Sequence, residues 1–181
     1  MHNETAATGA HAYLRRPPHH RPYAGAMQLE DVRRVLEALE RAGVRYAVFG
    51  AIAMAAHGLD RATRDLDLFI ASDTENVERL KQALLAVFDD PSIGEISAQE
   101  LQGEYPVVQY GPPDVDYTID IVSRLGDAFT FKDLEIVEVD VGDTLLHVVS
   151  PTTLYRMKRD TLRPRDRDDA ERLRRAFELE D

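Results

Sequence analysis

The chain has no cysteine and no tryptophan among its 181 residues. Without thiols it can form no disulfide, no Cys-ligated zinc site and no thiolate nucleophile. Positive charge is scarce too: 22 Lys and Arg stand against 33 Asp and Glu, a formal net charge of −11. A general nucleic-acid binder carries a basic footprint that this balance does not supply. An enzyme of small nucleotides stays open, because a bound cation offsets local negative charge. No apolar run approaches the roughly 18 residues that span a bilayer. The N-terminus is polar and lacks the compact apolar segment of a signal peptide. These absences give the expectation of a cytoplasmic chain with no membrane partner. Hydrophobic residues make up 44%, enough at this length for one domain with a real core.

Residues 1–26 read as a flexible tail, rich in Pro, Arg and His without an apolar period, and 27–181 as a single domain. Four of the six histidines (His2, His11, His19, His20) lie in that tail at spacings that suit no metal site. Met27, which opens the first convincing element, is an alternative start. Apolar positions at helical spacing predict a helix from Gln28 to Ala42, stopped at Gly43. A buried strand follows over 45–49, then a turn at Gly50 and a short helix, Ile52–His57. Asp65–Ile70 is a strand, and Ser72 with Glu75 has capping-box spacing for a helix to Phe88. Residues 89–103 read as irregular, with one helical turn near 97–102. Strands are expected at Tyr105–Tyr110 and Val115–Val122 across a Gly-Pro-Pro turn, and at Ile136–Val141 and Thr144–Val149 about Gly142-Asp143. Ser150-Pro151 starts a helix through Lys158, and a last helix covers 166–179. The fold class is α/β or α+β with a mixed sheet flanked by helices.

The chemistry centres on Asp65 and Asp67. Two residues apart on a strand they share a face, with Cα atoms roughly 6.5 Å apart, while Leu66, Leu68 and Ile70 point into a core. Such a pair repels itself unless a cation sits between the acids or both are solvated, and it suits Mg²⁺. Asp120 joins them if its strand lies beside Asp65–Ile70 with apolar faces aligned, and Asp116 is its rival. Three carboxylates can hold two Mg²⁺ ions, or one metal with a general base. Upstream, the Gly50–Ala51 turn either presents backbone N–H groups at a helix start, a site for phosphate oxygens, or Gly50 merely permits the turn. Lys158 could reach a phosphate as a point charge, or could be a solvated helix residue. Arg61 and Arg64 could touch a triphosphate or simply screen the acids. Arg163, Asp166 and Asp169 could equally belong to an exposed, salt-bridged helix. His57 and His147 read as core or surface residues.

The ordered array FGAIAMAAHG, RATRDLDLFI, YTIDIVSRL and SPTTLYRMKRDTLRPRDRDD resembles the nucleotidyltransferase superfamily with the DNA polymerase β-like fold. More narrowly it is similar to the small bacterial AbiEii-type members of toxin–antitoxin and phage-defence modules. The resemblance covers about residues 28–180. It implies that Gly50 and Ala51, with Arg61, Thr63 and Lys158, bind a nucleoside triphosphate. It implies that Asp65, Asp67 and Asp120 are catalytic and hold Mg²⁺, and that Arg163, Asp166 and Asp169 complete a later motif. Ala51 departs from the pattern, standing where many members have Ser or Gly. It keeps its N–H but offers a phosphate no hydroxyl. On this reading the separate substrate-recognising domain of larger members is expected to be absent.

The activity so implied is Mg²⁺-dependent transfer of a nucleoside monophosphate from a triphosphate (ATP among them) to an acceptor hydroxyl on RNA, protein or a small molecule. A cognate antitoxin is the implied partner. The alternative is a degenerate member that binds a nucleotide or a partner without catalysis. A haloacid-dehalogenase-type phosphatase fits less well, because Ala-Thr-Arg rather than a buried apolar run precedes Asp65. A glycosyltransferase is usually longer. A purely structural domain is the remaining rival.

Overall fold

The computed structural model describes residues 12–13, 29–141 and 144–180. Its centre is a seven-stranded mixed sheet: β1 (Ala12–Tyr13), β2 (Tyr46–Val48), β3 (Asp65–Ile70), β4 (Val107–Tyr110), β5 (Thr118–Val122), β8 (Ile136–Val141) and β9 (Thr144–Val149). Their order across the sheet is β1-β4-β5-β3-β2-β9-β8. A two-stranded ribbon of β6 (Arg124–Leu125) and β7 (Phe129–Thr130) stands apart from it. The helices are α1 (Leu29–Arg41), α2 (Gly50–Ala56), α3 (Thr74–Phe88), α4 (Ala98–Leu101), α5 (Pro151–Arg159) and α6 (Pro164–Ala176). The expected mixed sheet flanked by helices is therefore present. None of these helices is long and apolar enough to cross a membrane.

Helix α1 forms where the apolar period predicts it. Val32, Val35, Leu36 and Leu39 are buried on one stripe, and Gly43, at φ +64°, ends the helix in the left-handed region. Helix α3 has its N-cap one residue later than expected. Asp73, not Ser72, accepts the N–H of Asn76 at 3.2 Å. Asn76 is itself buried and fully engaged. Its amide donates to Ala71 and Arg45 carbonyls and accepts the Arg45 N–H, tying the start of α3 to the entry of β2.

Strand β3 runs parallel to β5 and antiparallel to β2. Leu66, Leu68 and Ile70 have no exposed surface and enter the main core with residues of α1 and α3. Phe69 points to the other face, where it forms a smaller cluster with Val122 and Phe129. Several boundaries are tighter than the sequence suggests. Strand β4 begins after Pro106, which has no N–H for a ladder, and β5 begins only at Thr118. Residues 89–103 contain a 3₁₀ turn at Pro91–Glu95 besides α4. The β6–β7 ribbon was not expected. Ala12 and Tyr13, from the expected tail, pair in parallel with β4. The tail histidines, Met27 and the Gly142-Asp143 turn lie outside the described residues.

Candidate active site

The chain turns from β2 into α2 at Gly50, whose φ is +65°. A Cβ at this position would lie 2.7 Å from Asp67 Cγ and closer still to Oδ2. Only glycine fits, both for the dihedral and for the close approach. Helix α2 starts at Gly50 itself, two residues before the expected Ile52, and no side chain caps it. The Asp67 carboxylate instead accepts the Ala51 N–H. An acid at a helix N-terminus satisfies an orphan donor and meets the positive end of the backbone dipoles.

The β3–β5 register places Asp67 directly opposite Asp120, and Asp65 opposite Thr118. Adjacent strands lie about 4.8 Å apart, so the three aspartates share one face of two neighbouring strands, as the alternation of apolar residues required. Asp116 lies before β5, exposed, with its carboxylate 3.9 Å from Arg64. It is not part of the group. Each aspartate has its own support. Thr118 Oγ1 donates to Asp65 Oδ1 at 2.8 Å, and Gln109 Nε2 on β4 donates to Asp120 Oδ1 at 2.8 Å. Thr63 Oγ1 accepts the Asp65 N–H at 3.1 Å and so shapes the entry to β3. Gln109 was not foreseen. Its clue was position, since it precedes Tyr110 on a strand antiparallel to β5 and faces Asp120 in register.

Asp67 shows the electrostatic cost of this grouping. Burial, then the charges of Asp120 and Asp65, push its carboxyl from 3.8 up to about 7, while Lys158 and the Ala51 N–H offset part of the rise. Among the described residues, no three His, Asp or Glu side chains converge tightly enough to form a ready metal cage. The aspartates share a face, yet Thr118, Gln109 and the α2 start each hold one of them. Their chemistry nevertheless fits Mg²⁺: hard oxygen donors that repel one another on one half-buried face.

Lys158 is buried, at 8% exposure. Its ammonium binds Asp166 and Asp169 at 3.0 Å each, and Arg61 pairs with the same Asp169 oxygen. Burial raises the Asp166 carboxyl, but its hydrogen bond to Lys158, with Thr161 and Arg163, leaves it below the usual range. This network fixes α6 against α5 and brings the Lys158 charge to within electrostatic reach of Asp67. Lys158 and Arg61 are thus held by carboxylates of the chain itself. His57 Nε2 meets the Val149 carbonyl at 2.9 Å, and His147 lies 3.2 Å from Glu40.

The Thermotoga maritima protein designated a nucleotidyltransferase has the same fold, with a TM-score of 0.52 at 16% identity, covering 83% of this chain and 92% of its own. An antigenic nucleotidyltransferase-like protein of Paracoccidioides brasiliensis gives a TM-score of 0.49 at 15% identity, covering 84% of this chain and 78% of its own. No curated protein matches the sequence. The family described as nucleotidyl transferase AbiEii toxin, type IV toxin–antitoxin system, matches residues 34–175, a span that includes Gly50, the three aspartates and the Lys158 network. The chain belongs to this AbiEii nucleotidyl transferase toxin family.

Proposed function

We propose that the chain moves a nucleoside monophosphate from a nucleoside triphosphate to an acceptor hydroxyl on RNA or protein, under the control of a cognate antitoxin. The observation that carries this reading is the packing of Gly50 against Asp67, with Asp67 in register with Asp120. That arrangement sets a helix start beside an acidic face, which is what a triphosphate with a divalent cation needs. Asp65, Asp67 and Asp120 are the residues that would hold Mg²⁺. When bound, the ion would neutralise the acids and the triphosphate oxygens.

The chain's own groups supply the rest. Gly50 and Ala51 offer backbone N–H groups to the phosphates, and Asp67 must release the Ala51 N–H for one of them to be used. Gln109 keeps Asp120 oriented, so that its carboxylate can accept the proton of the acceptor hydroxyl. The freed oxygen attacks the α-phosphorus in line, the bond to the bridging oxygen breaks, and pyrophosphate leaves. Thr63 and Thr118 fix Asp65. Lys158 and Arg61 add positive charge beside the site from within their own ion pairs.

Two observations favour a second reading, a degenerate member that binds a nucleotide or the antitoxin without transfer. Ala51 has no hydroxyl, and Asp67 itself occupies the Ala51 N–H. Incubation with α-phosphate-labelled nucleoside triphosphates, Mg²⁺ and bulk RNA or protein separates the readings. Label transfer with pyrophosphate release, lost in Asp120→Ala, supports the transferase. Nucleotide binding without transfer to any acceptor supports the second reading.

A further inference from the structure

A cavity of about 450 Å³ opens where β3 and β5 end, at the end of those strands away from Asp65. Its volume lies in the range of roughly 300–1,000 Å³ usual for small-molecule sites. The two strands are parallel neighbours whose chains then part, β3 into α3 and β5 into the β6–β7 ribbon. Such a parting leaves a crevice at the carboxyl ends of strands. Its lining includes the half-buried Phe131, beside the buried Ile70 and Leu101, and the three cations Arg45, Arg124 and Lys132.

The charge at this rim runs against the rest of the molecule. Three cations and one carboxylate, Asp73, line the cavity of a chain whose net charge is −11. Asp73 is already committed to Arg45 and to capping α3. Arg124 is steadied from behind, its Nη2 donating to the Gly103 carbonyl at 2.9 Å and to the Glu104 carbonyl at 3.4 Å, and its ion-pair partner Asp127, at 3.6 Å, is fully exposed and screened by solvent. Lys132 is exposed at the mouth. The lining polar groups are mostly spent on structure: Gln102 Nε2 donates to the Ser72 carbonyl at 2.6 Å and Ser123 to the Leu101 carbonyl. What remains for a ligand is the Phe131 side chain with Arg124 and Lys132 beside it.

We propose that this cavity is a second ligand site, taking a small organic phosphate such as a nucleoside monophosphate. The flat body lies against Phe131, and the phosphate meets Arg124 and Lys132. A guanidinium fork matches phosphate oxygens, and an aromatic ring accepts any base face. The site is not an extension of the acid cluster. Ile70 is three residues beyond Asp67 and Arg124 four beyond Asp120, or about 10–13 Å along the strands. Phe69 and Val122, the next residues on the aspartate face, pack with Phe129 between the two.

The test is isothermal titration of the full chain with AMP in EDTA, which silences metal-dependent binding at the aspartates. Binding is expected that survives Asp65→Ala with Asp67→Ala and weakens at least about tenfold in Lys132→Glu and in Arg124→Ala. Lys132→Glu alters an exposed side chain, so folding is not at stake, and circular dichroism checks Arg124→Ala. Absence of AMP binding overturns the proposal. So does binding that is lost in the aspartate variant and kept in the basic ones. Inorganic phosphate binding as tightly as AMP would also overturn it, since Phe131 would then contribute nothing. None of these results bears on the transferase reading, which requires Mg²⁺ and the aspartates.

Discussion

Gly50→Ala tests the packing on which the candidate site is built. The φ of +65° costs an L-residue about 1–2 kcal/mol in the left-handed region. The new Cβ would lie within 2.7 Å of Asp67 Cγ, so the carboxylate must move and give up the Ala51 N–H. A hydrogen bond to a charged group is worth about 1.5–3 kcal/mol, which brings the expected loss to about 2–5 kcal/mol. Asp67→Ala removes the obstructing carboxylate and leaves only an Asp67 Cβ at 3.1 Å. Combined with Gly50→Ala it should therefore leave mainly the dihedral cost. The assay is urea unfolding of wild type, both single variants and the double variant at pH 8 in EDTA. The double-mutant cycle should show coupling of about 1–3 kcal/mol. Additive losses, or a Gly50→Ala change within about 0.5 kcal/mol of wild type, would refute the reasoning.

Three more outcomes follow from the same structure. The Asp67 carboxyl titrates near pH 7 in the folded chain against an ordinary 3.8, so the folded state holds more protons between those values. Its contribution to stability is full below about pH 4 and is lost as pH rises through about 7, on the order of 2–4 kcal/mol. Asp67→Asn should flatten that fall in urea midpoints measured in EDTA, and an unchanged slope would contradict the assignment. Lys158→Ala leaves the buried Asp169 carboxylate and its neighbour Asp166 short of a cation and should cost about 3–5 kcal/mol; a loss under about 1 kcal/mol in urea unfolding would mean the network is slack. Asp73→Ala should lower stability by about 1 kcal/mol through the lost α3 cap, with Ser72→Ala near neutral, and the reverse order would restore Ser72 as the cap.

The joining of Asp65, Asp67 and Asp120 was legible because strand alternation is strict. Once Leu66 and Ile119 must face the core, the acids have one face left. That β5 would lie beside β3, and not elsewhere in the sheet, came with the resemblance. The contact between Gly50 and Asp67 was hidden, since a glycine in a turn gives no sign of which side chain will fill the space above it. The burial of Lys158 was hidden for a related reason. Its helix is amphipathic in sequence, but the pairing with Asp166 and Asp169 depends on how α6 packs against α5, which only tertiary structure sets. Ser72 and Asp73 are both good caps, and the choice between them was settled by Asn76 binding the Arg45 and Ala71 carbonyls. The β6–β7 ribbon has two residues per strand, too few for any period to show.

The central claim is that Gly50, Asp65, Asp67 and Asp120 form one metal-dependent nucleotide site. Isothermal titration of each nucleoside triphosphate, with Mg²⁺ and then with EDTA, tests it most directly in wild type and in Asp65→Ala with Asp67→Ala. The account predicts binding of at least one triphosphate that requires Mg²⁺ and vanishes in the folded variant. Binding that is indifferent to Mg²⁺ and to both aspartates, or no binding by a folded wild type, would contradict it.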